Sequence, residues 1–185
     1  MTHTGKFNEN KAIGRLTEII ALERGYTPEK AKQIKTAAIL HDVGKTKISR
    51  EILDKPDKLN PDEFAVVKNH TKIGAELLSS LRGELGEKAK LICLLHHEWH
   101  EPSLGGYWGL SSRFLPDYIS FVSVADVYIS LISKRPYKTE WSKLDALEYI
   151  KQQAGTQFCH KLVDDFVPLI QNDKRIPAIF IEREE

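Results

Sequence analysis

The sequence predicts an all-α fold, and three observations carry that reading. Apolar residues recur three and four positions apart along almost the whole chain. Period-two alternation, the mark of strands, is scarce. Residues that cap helices, such as Thr27 and Asn60, open the apolar runs, while Gly25 and Gly155 close them. A chain of 185 residues reads as a single domain spanning 1–185, large enough to bury a core without staples, and the pattern fits a bundle of about seven helices.

The first helix is expected from Phe7 to Arg24, with Ile13, Leu16, Ile19 and Ile20 inward and Gly25 closing it. Thr27 caps the second and Pro28 takes its first position; it carries Ala31, Ile34, Ala37, Ala38 and Leu40 and ends at His41-Asp42. From Gly44 to Leu59 the chain reads as a loop holding one short turn, Glu51-Ile52-Leu53, capped by Ser49. Asn60 with Glu63 makes a capping box, and the third helix is expected to run unbroken to about Leu81 with His70 on it. A fourth, EKAKLICLLHH, delivers His96 and His97 at its end. The stretch 98–116, rich in glycine, proline, serine and aromatics, is long for a bare connector, and long ordered loops tend to be functional. Helices then follow over Asp117–Ser133, Ser142–Ala154 and His160–Gln171, with the basic knot KRPYK after the first of them and an extended arm, IPAIFIEREE, at the end.

Composition narrows the function classes. No run of about 18 apolar residues exists and the N-terminus lacks an apolar signal core, so a cytoplasmic protein without a membrane partner is expected. Cys93 and Cys159 lie far apart and outside any zinc-finger spacing, which fits a reducing compartment. With 27 basic and 26 acidic residues the net charge is +1, so DNA is not an expected partner and any anionic ligand must be held locally.

That leaves a site, and HDVGK raises it. His41, Asp42, His70, His96, His97 and Asp126 all fall near helix ends or on helix faces. A lone His70 between valines and isoleucine would ordinarily be a satisfied core or surface residue, and His96-His97 could be helix-terminal cations. Asp126 inside FVSVADVYISLI and Asp42 after AAIL are harder to place, because a carboxylate buried alone is costly. One metal site explains all six at once. Imidazole and carboxylate without thiolate suit iron, manganese, zinc or cobalt. Six ligands exceed what one open catalytic ion needs, so the expectation is two ions bridged by Asp42.

The run HDVGK, together with LDKPDKL, His70, HHE, GGYWGL, VADVY, SKRPYK and AGTQF in that order, resembles the HD-GYP family, a branch of the HD phosphohydrolase superfamily. The resemblance covers nearly the whole chain. It implies an all-α domain with a bi- or trinuclear centre, commonly iron or manganese, that hydrolyses the bacterial messenger cyclic di-GMP to the linear dinucleotide or to GMP. It also implies that the six residues above are ligands. Lys45 matches the lysine beside the scissile phosphate, Gly106-Tyr107 the first two letters of GYP, and Arg135 with Lys138 the basic pair that grips substrate phosphates. Chemically, Lys45 suits neutralising charge that develops on the phosphoryl group, and Arg135 suits bidentate phosphate contact with Lys138 as a point charge. In isolation KRPYK reads as a solvated loop. Tyr107 and Trp108 fit either base stacking or a hydrophobic lid.

Four positions depart from the family pattern. The histidine that its first helix usually offers falls at Glu9, which can ligate through oxygen or serve as an ordinary first-turn acid. A glutamate of the trinuclear members falls at Gly5. The proline of GYP is Trp108, in a loop one residue longer, and a second aspartate of the family is Ile129. The expected function is therefore a metal-dependent phosphodiesterase for cyclic di-GMP or a related cyclic dinucleotide. Its candidate catalytic residues are Lys45 and Asp42, its candidate ligands His41, Asp42, His70, His96, His97, Asp126 and Glu9, and its substrate contacts Arg135, Lys138, Tyr107 and Gly106. Two divalent ions are expected, iron or manganese foremost, with zinc, cobalt and nickel as further options. The rival readings are a general HD-type phosphohydrolase of nucleotides or phosphomonoesters, and a degenerate nucleotide-binding module. A separate regulatory protein and a homodimer are the partner expectations besides substrate.

Overall fold

The computed structural model describes residues 8–133 and 140–176, and among them the secondary structure is helical, without strands. Helix α1 (Glu9–Glu23) starts where the Asn8 side chain accepts from the Lys11 amide, and it buries Ala12, Ile13, Leu16, Ile19 and Ile20. Helix α2 (Pro28–Ile39) is capped by Thr27, and its fully buried Ala31, Ala37 and Ala38 let α1 lie close against it.

After the HD pair comes a 3₁₀ turn, Val43–Lys47, and then the four-residue α3 (Arg50–Leu53) capped by Ser49. Helix α4 (Pro61–Lys68) begins in the expected capping box, the Glu63 amide donating to Asn60 Oδ1 and the Asn60 amide to the Glu63 carboxylate, each at 2.8 Å. The unbroken third helix does not form. The Asn69 amide turns back to the Val66 carbonyl at 3.2 Å, and a separate α5 (His70–Leu77) starts from there. That break turns His70 inward, fully buried, while α4 buries none of its residues.

Helix α6 (Gly83–Leu95) starts a turn earlier than expected and runs through Gly86. The loop that follows holds a 3₁₀ turn at Ser112–Phe114 and leads into α7 (Asp117–Ile132). Helix α8 (Lys143–Gln152) and helix α9 (His160–Asn172) keep close to their expected spans. The described residues thus hold nine α-helices against the seven expected, because one helix splits and a short turn closes into another.

Helix α7 is the axis of the core. Ile119, Phe121, Val122, Val124, Ala125, Tyr128 and Ile129 are all shielded from solvent, so the helix is covered on more than one face, by α1, α6 and α8. Truncating such a residue, Ile129→Ala for example, costs about 2–5 kcal/mol. No helix among the described residues is long and apolar enough to cross a membrane. Both cysteines are free thiols, as expected. Arg135, Lys138, Gly5, Phe7 and most of the C-terminal arm lie outside the described residues.

Candidate metal centre

Three helix ends and one mid-helix residue build the site. The His41-Asp42 pair follows the last turn of α2, His70 opens α5, His96 and His97 follow α6, and Asp126 projects from α7. The histidines are oriented by backbone. Nδ1 of His41 contacts the Ala38 carbonyl at 2.8 Å, that of His70 the Val67 carbonyl at 2.7 Å, and that of His96 the Ile92 carbonyl at 3.0 Å. A carbonyl only accepts, so each Nδ1 carries the hydrogen and each Nε2 is the atom turned into the cluster.

There the Nε2 atoms meet the two aspartates. Asp42 Oδ1 lies 3.1 Å from His70 Nε2 and 3.9 Å from His96 Nε2, while its Oδ2 lies 3.3 Å from His41 Nε2. Asp126 Oδ1 stands 3.8 Å from His41 Nε2. The donor atoms fall into two groups, Asp42 with His70, His96 and His97, and His41 with His96 and Asp126, each within 4.8 Å of one another. His41 Nε2, His70 Nε2, His96 Nε2 and Asp42 Oδ1 are buried with no hydrogen-bond partner. Orphaned polar atoms are expensive inside a protein, and four of them distributed over these two groups fit divalent cations.

Electrostatics agree with that fit. Burial pushes the Asp42 carboxyl up, but His41, His70 and Lys45 outweigh it and hold the group well below the ordinary carboxylate range. Burial pulls His41 down, yet Asp42 and Asp126 overcome it, so the net shift is upward and positive charge is favoured at that point. His96 is lowered by burial and by neighbouring His97 and His41, and His97 is lowered to about 3 by burial and His70. Both are therefore neutral and ready to ligate near pH 7. Burial pushes the Cys93 thiol up to about 12, and its Sγ donates to the His41 carbonyl at 3.0 Å, so it steadies the HD turn as a thiol.

Lys45 Nζ sits 2.5 Å from Asp42 Oδ2, at the rim of the cluster and partly exposed. Tyr107 closes another side, its ring centroid 4.3 Å from that of His97, and burial with the nearby Asp42 pushes its phenol up to about 12. Gly106 has φ +94°, a left-handed conformation that favours glycine. Glu9 opens α1 and belongs to neither donor group. The position of Ile129 is fully buried in the core.

In the sequence, HHE shows no role for Glu98 beside the two histidines. The structure gives it one. Glu98 is 2 % exposed, and its two oxygens accept from the amides of Tyr107 (3.2 Å), Trp108 (2.8 Å) and Leu110 (2.8 Å). A single carboxylate thus pins the loop that carries Tyr107. The available signal was an acid next to the ligand histidines and ahead of a glycine-rich loop, whose amides are its natural donors.

A buried histidine–aspartate cluster at the helix ends of an all-α core defines a helical protein of the metal-binding HD type. Residues 11–131, well over half of the chain, match the family described as HD domain, and the chain belongs to that family. It is 41 % identical over 153 residues to the cyclic di-GMP phosphodiesterase response regulator RpfG of Xanthomonas campestris, a match covering 82 % of this chain and 40 % of that protein. It is 36 % identical over 169 residues to a cyclic di-GMP phosphodiesterase of Thermotoga maritima, covering 91 % of this chain and 45 % of the relative. The chain thus spans less than half the length of these curated relatives. In fold it is similar to Bd1817, an HD-GYP-type protein from Bdellovibrio bacteriovorus, with a TM-score of 0.70 at 18 % identity over 89 % of this chain and 52 % of the other. The resemblance to the HD-GYP branch read from the motifs holds in these comparisons.

Proposed function

We propose that this chain is a metal-dependent phosphodiesterase that hydrolyses cyclic di-GMP or a related cyclic dinucleotide at a centre of two divalent ions, iron or manganese foremost. The observation that carries the reading is the gathering of three unpartnered histidine Nε2 atoms about the Asp42 carboxylate, His70 and His96 on its unpartnered Oδ1 and His41 on its Oδ2. Relatives that are named as cyclic di-GMP phosphodiesterases support the substrate class.

In this reading His41 and Asp126 would hold one ion and His70, His96 and His97 the other, with Asp42, whose Oδ2 faces His41 and Oδ1 faces His70, available to both. A bound two-ion centre supplies Lewis acidity toward the phosphoryl group and makes water acidic enough to attack near neutral pH. The residues do the rest. Lys45, at the rim, offsets negative charge on the phosphoryl oxygens as the P–O bond breaks. Tyr107, which stays a neutral phenol, walls the site beside His97 and offers a ring face to a base. Arg135 and Lys138 grip substrate phosphate, and Glu9 remains a candidate for a further oxygen ligand. Neutral His96 and His97 need lose no proton to ligate, so the site is ready at neutral pH.

The test is turnover of cyclic di-GMP by anaerobically purified protein loaded in parallel with Fe(II) or Mn(II), with metal counted on the same sample. The expected result is hydrolysis with about two ions per chain. Two ions without cleavage of any cyclic dinucleotide would remove the reading in favour of a different phosphate ester.

A further inference from the structure

Beside the metal cluster lies a group of charges and rings that the proposed chemistry does not use. Lys68 ends α4 and Lys72 lies in the first turn of α5, so the break at Asn69 sets both toward the Tyr107–Trp108 loop. Lys68 Nζ is 5.2 Å from the centroids of both the Tyr107 and the Trp108 rings, and Lys72 Nζ is 3.7 Å from that of Trp108. Trp108 itself is fixed at both ends. Its indole N–H donates to Thr71 Oγ1 at 3.2 Å, and its backbone amide donates to Glu98 Oε1 at 2.8 Å.

Three features say what such a group is for. Other lysines of this chain neutralise themselves, Lys55 on Glu63, Lys90 on Glu87 and Lys88 on Glu84. Among the described residues Lys68 and Lys72 meet only ring faces, and no carboxylate there pairs with either. A ring face offsets little of an ammonium's charge at an exposed position, and like charges four residues apart repel, so an anion between them relieves a standing cost. The rings lead straight to the centre, since Tyr107 packs on His97 at 4.3 Å. Two lysines and two aromatics one ring away from a phosphodiester-cleaving centre match a nucleotide better than an acidic peptide, which would use the charges and leave the rings idle.

We infer that Lys68, Lys72 and Trp108 form a second phosphate subsite, which holds the uncut phosphodiester of a cyclic dinucleotide while the other lies at the metal cluster. The inference rests on the cyclic-dinucleotide reading above. It adds a specificity element where this chain replaces the proline of the GYP motif: Trp108 holds Lys72 in place by cation–π contact, a role proline cannot fill.

The experiment compares wild type, Lys68→Gln/Lys72→Gln and Lys68→Arg/Lys72→Arg. Kinetics use metal-loaded protein on cyclic di-GMP and on bis(p-nitrophenyl) phosphate, which has one phosphodiester only. Binding of cyclic di-GMP is followed by tryptophan fluorescence on chelator-treated protein at two salt concentrations. The glutamine pair is expected to raise KM for cyclic di-GMP by about tenfold or more, with kcat and the small diester unaffected, and to flatten the salt dependence of binding. The arginine pair is expected to restore both. Unchanged KM in the glutamine pair, or equal losses on the two substrates, would overturn the subsite while leaving the phosphodiesterase reading intact. A wild type that neither cleaves nor binds cyclic di-GMP or a mixed guanine–adenine ring would remove the reading and the subsite together.

Discussion

Gly44 and His70 meet with no room for a methyl group: a Cβ at position 44 would stand 1.9 Å from the His70 carbonyl oxygen and 2.6 Å from the Gly74 amide. This contact seats the HDVGK turn against α5 and so brings Asp42 Oδ1 to within 3.1 Å of His70 Nε2. Gly44→Ala must therefore push the two elements apart. The expected cost is about 1–3 kcal/mol of stability, as for other overpacked positions, together with reduced metal content. Thermal unfolding and metal analysis on the same preparation check it; an alanine variant with wild-type metal binding would show that the turn can shift without disturbing the ligands.

In the proposed two-ion centre Asp42 serves both halves, because its Oδ2 faces His41 and its Oδ1 faces His70. Asp42→Ala is expected to lose bound metal and turnover together. Removing a group that merely orients a ligand costs about 10–100-fold in metal affinity, so loss of the shared ligand should exceed about a hundredfold. A variant that keeps full activity would exclude the bridged centre.

That His41, Asp42, His70, His96, His97 and Asp126 come together, and Glu9 does not, was legible only in its first part, and for a definite reason. Asp42 and Asp126 stand in apolar helical context, where a carboxylate has to find a cation, and His41, His96 and His97 fall at expected helix ends that can converge. The packing that makes them converge was not legible. Nothing in VVKNHTK announces that the helix breaks at Asn69, since no proline or glycine marks it and the contacts that seat His70, with Gly44 and Asp42, come from far along the chain. The same holds for Glu98, whose three amide donors come from residues nine to twelve positions later in a loop with no periodic pattern. Gly44 read only as a letter of a motif until its distance to His70 gave it a steric meaning.

Glu98 acts through the loop it holds, and that gives it a distinctive signature. Glu98→Ala leaves the amides of Tyr107, Trp108 and Leu110 without their acceptor, each worth about 1–3 kcal/mol when buried. The expected outcome is a lower melting temperature and a KM for dinucleotide that rises more than kcat falls. Glu98→Gln keeps a carbonyl oxygen for one side of the loop and presents an NH₂ group to the other, so it should fall between wild type and alanine. If glutamine and alanine behave alike with kcat alone reduced, the positioning role is wrong.

Chelator-treated protein should lose stability as the solution is acidified, and the sign follows from the histidines. An unfolded histidine titrates near 6.5, whereas burial and His70 hold His97 at about 3 in the fold. Between those values the unfolded chain binds a proton that the native chain refuses, so stability rises with pH across the window and is lost as pH falls below about 6.5. His96, also lowered, acts in the same direction. His41 is raised, so its contribution is complete below about 6.5 and is lost as pH rises above it; it acts above the His97 window and narrows the difference between pH 7.5 and 5. Asp42, lowered from 3.8, adds a second loss at more acid pH. Urea midpoints at pH 7.5 and 5 should therefore differ in wild type and differ less in His97→Ala; equal slopes in the two proteins would show that His97 does not carry the effect.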